Sequence, residues 1–124
     1  MRTTLFLDDC PNRCKSFRSN FPFATIVNDA DSCIEQLKSQ AWDQVFLDHD
    51  LGGTTYQDTN EKNSGSEVVR WIVENKPVVG LFVCHSLNGP ARQNMFHSLK
   101  GAGFRVCEIP FCTWLWNGLV YGEN

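Results

Sequence analysis

The sequence has no basic run: its eleven Lys and Arg are scattered among fourteen Asp and Glu, for a formal net charge of -3. A protein that wraps duplex DNA shows a basic face or stripe, so that class is excluded. A small anionic ligand is not, because a few arginines in one pocket leave no trace in the net charge. No apolar stretch approaches the roughly 20 residues that span a bilayer, which argues against membrane insertion. The start, MRTTLFLDD, has one basic residue and a short apolar stretch, but carboxylates follow at once and no small-residue cleavage site does. It does not read as an export signal. No C-x-x-C pair is present, which disfavours zinc. The six cysteines (Cys10, Cys14, Cys33, Cys84, Cys107 and Cys112) mostly fall within expected strands and helices and read as reduced thiols of a cytoplasmic protein, not as three disulfides. Repeats and low-complexity stretches are also missing. A chain of 124 residues suits a single domain over residues 1–124 with one core.

What is present is a rhythm. Five short apolar runs recur: TTLFLDD, FATIVND, QVFLDHD, VVGLFVCHS and FRVCEIPF. They are near-continuous, as expected for strands covered on both faces of a parallel sheet. Helix-like segments lie between them. NRCKSFRSNF follows the first run. DADSCIEQLKSQ follows the second, with Asp29 or Asp31 as N-cap and Cys33, Leu37 and Ala41 on one face. NSGSEVVRWIVENK follows the third, with Ser64 or Ser66 as cap, Val68, Val69 and Ile72 inward and Pro77 closing it. NGPARQNMFHSLKGAG follows the fourth, capped by Asn88, with Pro90 in its first turn and Gly101 or Gly103 at its end. TWLWNGLVYGEN reads as a last, short helix. The alternation predicts an α/β fold: a parallel sheet between helices, joined by right-handed crossovers.

Ligands of such sheets bind beyond the carboxyl ends of the strands. That rule gathers Asp8, Asp9, Asn28, Asp29, Asp48, His49, Asp50, His85 and Ser86 onto one rim. Carboxylates crowded there repel unless a cation neutralises them, one is protonated, or some turn to solvent. Oxygen-only ligation favours Mg²⁺ or Mn²⁺ over zinc. The connection LGGTTYQDTNEKN, which leaves the acidic cluster, is about twice the usual loop length and reads as a lid or as a mobile insertion.

LFLDD followed by a helix, an Asp ending the third strand, a polar residue ending the fourth and PF after the fifth together resemble a response-regulator receiver domain, over essentially the whole chain. The resemblance implies a flavodoxin-like three-layer sandwich whose five strands run in the order 2-1-3-4-5. It also implies Mg²⁺ held by Asp8, Asp9 and Asp48, with the carbonyl of Asp50 as a further ligand. The departures are specific. Ile109-Pro110 stands where receivers have Lys-Pro, His85 then Ser86 where they have Thr or Ser, and Val106 where they have the switch aromatic. Phospho-accepting signalling through Asp48 is thereby disfavoured.

FLDD…R, VFLDHDLG, SG-x-x-VVRWI, HS-x-N-x-x-x-R-x-x-M and AGF-x-V are similar to a narrower group, the cyclic-phosphate processing receiver-like family of bacteria and bacteriophages. What this implies is a metal-dependent phosphoesterase acting on a cyclic nucleotide or an RNA-end cyclic phosphate, in the host cytoplasm if a phage encodes it. The alternative is a non-catalytic module that sequesters a cyclic nucleotide or binds a protein partner.

Phosphodiester hydrolysis needs charge neutralisation, an activated water and a proton donor for the leaving alkoxide. Asp9 and Asp48 suit the metal, with Asp8 as third ligand or its supporting partner. His49 and His85 titrate near neutrality and suit a base and an acid, with Asp50 orienting His49 or taking a ligand position. Each histidine also has a plainer reading, packing under the lid or bonding a carbonyl. Arg13 and Arg92, near helix N-termini, suit phosphate, as do Ser86 and Asn88. Surface ion pairs and helix capping compete for these. Ser64, Gly65 and Ser66 form either an anion-binding turn or a cap. His97 reads as surface and Arg70 as remote from the rim. Trp114, Trp116 and Tyr121 read as a helix packed on the sheet, in preference to a base-stacking platform, and an exposed remainder would suit a homodimer.

Overall fold

Thr4–Leu7 (β1) is buried on both faces because its side chains alternate between two different helix layers. A computed structural model describes residues 2–53 and 56–111 of the chain. After β1 come Pro11–Asn20 (α1), Thr25–Val27 (β2), Ala30–Ser39 (α2), Trp42–Leu47 (β3), Gly65–Asn75 (α3), Val79–Cys84 (β4), Gly89–Gly101 (α4) and Val106–Glu108 (β5). All strands pair in parallel, in the order β2-β1-β3-β4-β5. This is the flavodoxin-like topology expected. The final helix expected over residues 113–124, and the dimer surface on it, lie outside the described residues.

The alternation divides the core in two. Leu5, Leu7, Val45, Leu47, Phe82 and Cys84 pack toward Leu37 of α2, Val68 and Ile72 of α3, and Leu99 of α4. Phe6, Phe46 and Val83 face the other way, against Phe17 of α1 and Phe21 just beyond its end. Phe6 stacks on Phe17 with ring centroids 3.9 Å apart, and Phe17 on Phe21 at 4.2 Å. Burying an aromatic ring of this kind contributes roughly 1.5–3 kcal/mol, and the stacked geometry adds about 1.

Local signals set the helix starts. Asp29 accepts the Ser32 N–H at 2.7 Å and Ser64 the Glu67 N–H at 3.2 Å, so Asp29 and Ser64 cap their helices, not Asp31 and Ser66. Asn88 caps α4, accepting the Ala91 N–H at 3.3 Å. Ala41 is a correction: α2 ends at Ser39, and Ala41 lies exposed beyond it. α3 ends on Lys76 in the left-handed region at φ 51°, ahead of Pro77. Among the described residues Cys10, Cys14, Cys33, Cys84 and Cys107 are free thiols, and no helix is long and apolar enough to cross a membrane.

The register places the site. Leu7 pairs with Leu47, Leu47 with Cys84, and Cys84 with Glu108. One residue further along each strand, Asp8, Asp48, His85 and Ile109 therefore stand in a single row at the carboxyl edge.

Candidate functional site

Asp8, Asp9 and Asp48 each offer a carboxylate oxygen, and these atoms lie within 4.8 Å of one another. Asp9 and Asp48 line the floor of a cleft of about 450 Å³ walled by Arg13, Asp50, Ser86, Leu87 and Asn88, and Asp8 is buried beside them. Asp8 and Asp48 are buried and Asp9 half-buried. The register explains this placement, since Asp8 and Asp48 continue the adjacent central strands β1 and β3.

Burial and the neighbouring Asp8 push the Asp48 carboxyl up to about 8, although the His49 N–H and Arg13 act in the opposite direction. Its Oδ1 accepts the His49 N–H at 2.8 Å. Its Oδ2 is buried without a hydrogen-bond partner. Arg13 makes a fork on Asp8, with Nε to Oδ2 at 2.7 Å and Nη2 to Oδ1 at 3.0 Å, and Nη2 lies 3.7 Å from Asp48 Oδ2. That bidentate hydrogen bond to Asp8 raises the Arg13 pKa further, against the cost of its own partial burial.

Both histidines require a correction, because neither lines the cleft. His85 is buried, stacks on Phe6 with centroids 4.8 Å apart, and bonds the Leu7 carbonyl through Nε2 at 3.1 Å. A carbonyl only accepts, so Nε2 carries the proton, and Nδ1 faces Asp8 Oδ2 at 3.8 Å without a partner. Burial lowers the His85 pKa to about 4, outweighing the opposing pull of Asp8. His49 is also fully buried, its Nδ1 bonded to Asp50 Oδ1 at 2.8 Å and its Nε2 unpartnered.

Asp50 is a hub. Its Oδ1 accepts from His49, from the Gln57 N–H at 3.0 Å and from Asn88 Nδ2 at 3.1 Å, while Oδ2 accepts the Tyr56 N–H at 2.8 Å. Burial pushes this carboxyl up, but those donors prevail and hold it below its ordinary value. The carboxylate thus holds the His49 ring through Nδ1. Asn88 both caps α4 and braces Asp50. Ser86 Oγ accepts the Asn88 N–H at 3.1 Å, which leaves its own O–H as a donor at the cleft wall.

Arg92 is the remaining correction. Its Nε bonds Glu108 at 3.0 Å and its Nη1 the Ser86 carbonyl at 2.8 Å, so it ties the connection between β4 and α4 to β5 and does not line the cleft. Glu108 carried no sequence signal as its partner, since β5 joins the sheet only through the tertiary fold. His97 is exposed, as expected.

The long connection is fastened. Gly53 N–H bonds Asp9 Oδ2 at 2.6 Å, Gln57 spans from the Leu51 N–H to the Asn63 carbonyl, and Arg70 reaches the Thr59 carbonyl at 2.8 Å. Gln57 and Arg70 were not legible as loop anchors, because a surface glutamine or arginine looks the same with or without a backbone partner. Gly65 is not an anion-binding turn: its N–H bonds the His49 carbonyl at 2.9 Å, and Ser64 bridges Asp50.

The donor set suits a hard divalent cation: among the described residues the cluster that could hold one is three carboxylates, one with an orphaned buried oxygen. No ammonium faces it from β5, where Ile109 packs with the Phe6 and Phe46 cluster.

Solved structures share the fold. A CheY-like receiver domain from Methylobacillus flagellatus matches with a TM-score of 0.61 at 17% identity, over 92% of this chain and 91% of that one. Response regulator TrrA from Thermotoga maritima, in complex with Mg²⁺-BeF, matches at 0.64 and 19% identity, over 90% and 88%. The Mn²⁺-bound form of response regulator Rcp1 matches at 0.61 and 14%, over 94% and 88%. At these identities the likeness establishes the fold alone. No curated protein matches the chain. A family model for the cyclic-phosphate processing receiver domain covers residues 3–101, and with the row of Asp8, Asp48 and His85 at its strand ends the chain belongs to that family.

Proposed function

We propose that the chain processes a cyclic phosphate ester, of a nucleotide or an RNA end, at a divalent-cation centre held by Asp8, Asp9 and Asp48. The observation that carries this reading is Asp48 Oδ2, a buried acceptor with no hydrogen-bond partner in a carboxylate cluster with Asp8 and Asp9, at an open cleft that Asp9 and Asp48 line. An orphaned buried oxygen of this kind calls for a cation or a proton. Mg²⁺ or Mn²⁺ there would neutralise phosphoryl charge and lower the pKa of a bound water.

The chain's own groups supply the rest. Ser86 presents its hydroxyl proton from β4's exit toward a phosphoryl oxygen. Arg13 supplies the cationic wall. The N-terminus of α1 lies at the cleft through Cys10 and Pro11 and has no side-chain cap, so its first-turn N–H groups are available to an anion. Opening the ring breaks one P–O ester bond as the water oxygen bonds phosphorus; the proton that the water loses passes to solvent, and the leaving alkoxide takes one from the Ser86 hydroxyl, itself reprotonated from solvent, or from solvent directly. His49 and His85 act as positioning residues, one beneath Asp50 and one beneath Asp8.

A second reading has its own support: because both imidazoles are buried, the cleft lacks a histidine acid, and a cyclic nucleotide could be bound without cleavage. Incubation with Mg²⁺ or Mn²⁺ and a panel of 2′,3′-cyclic nucleotides, cyclic dinucleotides and cyclic-phosphate RNA ends separates the two. Turnover to a phosphomonoester that Asp48→Asn abolishes supports processing. Stoichiometric binding without product supports sequestration, and neither binding nor turnover across the panel sinks both.

A further inference from the structure

The fork of Arg13 on Asp8 consumes the acceptor capacity that a metal ligand needs. Asp8 Oδ1 accepts Arg13 Nη2 at 3.0 Å and the Cys10 N–H at 2.9 Å. Asp8 Oδ2 accepts Arg13 Nε at 2.7 Å and faces His85 Nδ1 at 3.8 Å. Each carboxylate oxygen has about two in-plane acceptor sites, so Oδ1 is full and only the side of Oδ2 toward the buried imidazole remains. The same Nη2 lies 3.7 Å from the orphaned Asp48 Oδ2. The guanidinium therefore fills the gap between Asp8 and Asp48 that a bridging cation would take. Its other side lines the cleft, where the side chain is 29% exposed and has room to turn.

We propose that Arg13 is a displaceable internal cation. A divalent ion replaces it between Asp8 and Asp48, and the freed guanidinium turns to the phosphoryl group in the cleft. The inference rests on the reading of this centre as a divalent-cation site. Without metal, Arg13 is neutralised by Asp8 and the cleft is a poor anion receptor. With metal, the three carboxylates are satisfied and Arg13 is free to donate hydrogen bonds to phosphate. Metal and phosphate then bind with positive coupling, and by linkage each tightens the other by the same factor. A competing geometry has Arg13 as a fixed brace that holds Asp8 ready for the ion. The two differ in sign: removing a competitor strengthens metal binding, and removing a brace weakens it.

The test follows free Mn²⁺ by its electron paramagnetic resonance signal, with inorganic phosphate as the anion probe and Asp48→Asn protein as the blank for phosphate's own affinity for Mn²⁺. In the unaltered protein, phosphate should lower the apparent Kd for Mn²⁺ about fivefold or more. Arg13→Gln should bind Mn²⁺ alone about tenfold more tightly and lose the response to phosphate. Arg13→Lys, which keeps the charge without the fork, should lie between. Weaker Mn²⁺ binding by Arg13→Gln overturns the proposal, as does the absence of phosphate coupling in the unaltered protein, a result that stands even if the variant does not fold. If neither the unaltered protein nor Arg13→Gln takes up Mn²⁺, the cation-centre reading itself fails.

Discussion

Gly65 lies against Asp48 with no room for a side chain between them: a Cβ on Gly65 would collide with the Asp48 carbonyl oxygen and come within 2.8 Å of the His49 Cα. The N-terminus of α3 is thereby pressed onto the exit of β3, and the Gly65 N–H to His49 carbonyl bond at 2.9 Å fixes it there. Because the obstacle is backbone, little can give way. Gly65→Ala is expected to destabilise the fold by at least about 2 kcal/mol, measured by urea unfolding. Ala at Gly101, where a Cβ meets nothing within 4 Å, serves as the control and should be neutral or better. Equal stability of the two variants would refute the close approach.

Asp50 gathers donors from three directions, and two of them are the backbone N–H groups of Tyr56 and Gln57. Asp50→Ala frees both and also removes the braces on His49 and Asn88. Amide exchange in residues 56 and 57 should accelerate by one to two orders of magnitude, roughly the effect of losing a 1.5–3 kcal/mol charge-assisted bond. Exchange in β1 and β3 should not change. Unaltered protection at Tyr56 and Gln57 would mean that Gln57's bonds to Leu51 and Asn63 alone hold the loop.

His85 is expected to matter through Asp8 and the Leu7 carbonyl and not by contact with a ligand. His85→Phe keeps a ring against Phe6 but removes one of the two donors on the Leu7 carbonyl, which retains the Asp48 N–H at 3.1 Å, so the loss should be about 0.5–1.5 kcal/mol. Its Mn²⁺ affinity should fall by less than that of Asp48→Asn, which removes a floor oxygen outright. If His85→Phe instead abolishes Mn²⁺ uptake while unfolding normally, the imidazole belongs to the cation site.

The fold was legible because its signals are local. Near-continuous apolar runs gave the doubly covered strands, and Asp29, Ser64 and Asn88 stood one residue before their helices. The carboxylates were legible too, since strand ends of a parallel sheet share an edge. Side-chain direction was not. His49 follows Asp48 by one residue, and whether it faced the cleft or turned beneath it depended on Asp50, whose donors come from residues 57 and 88. Arg92 looked like a phosphate ligand because its competitor, Glu108, comes from a strand added last at the sheet edge.

Asp48 on the floor and His85 buried beneath Asp8 have opposite pH signatures. Asp48 is raised from 3.8 to about 8, so it contributes stability in its protonated form, fully present below 3.8 and lost as pH rises through 8. His85 is lowered from 6.5 to about 4, so its contribution is present above 6.5 and lost as pH falls through 4. Between about 4 and 6.5 the two slopes, each near 1.4 kcal/mol per pH unit, oppose and largely cancel. Above 6.5 only Asp48 still titrates, and metal-free protein should lose up to about 2 kcal/mol between pH 6.5 and 8. Urea unfolding in EDTA across this range measures it. Asp48→Asn should flatten the decline, and so should saturating Mg²⁺, because a cation at the floor stabilises the ionised carboxylate that the metal-free fold resists. A decline above pH 6.5 that survives both the substitution and the metal would place its source elsewhere than Asp48.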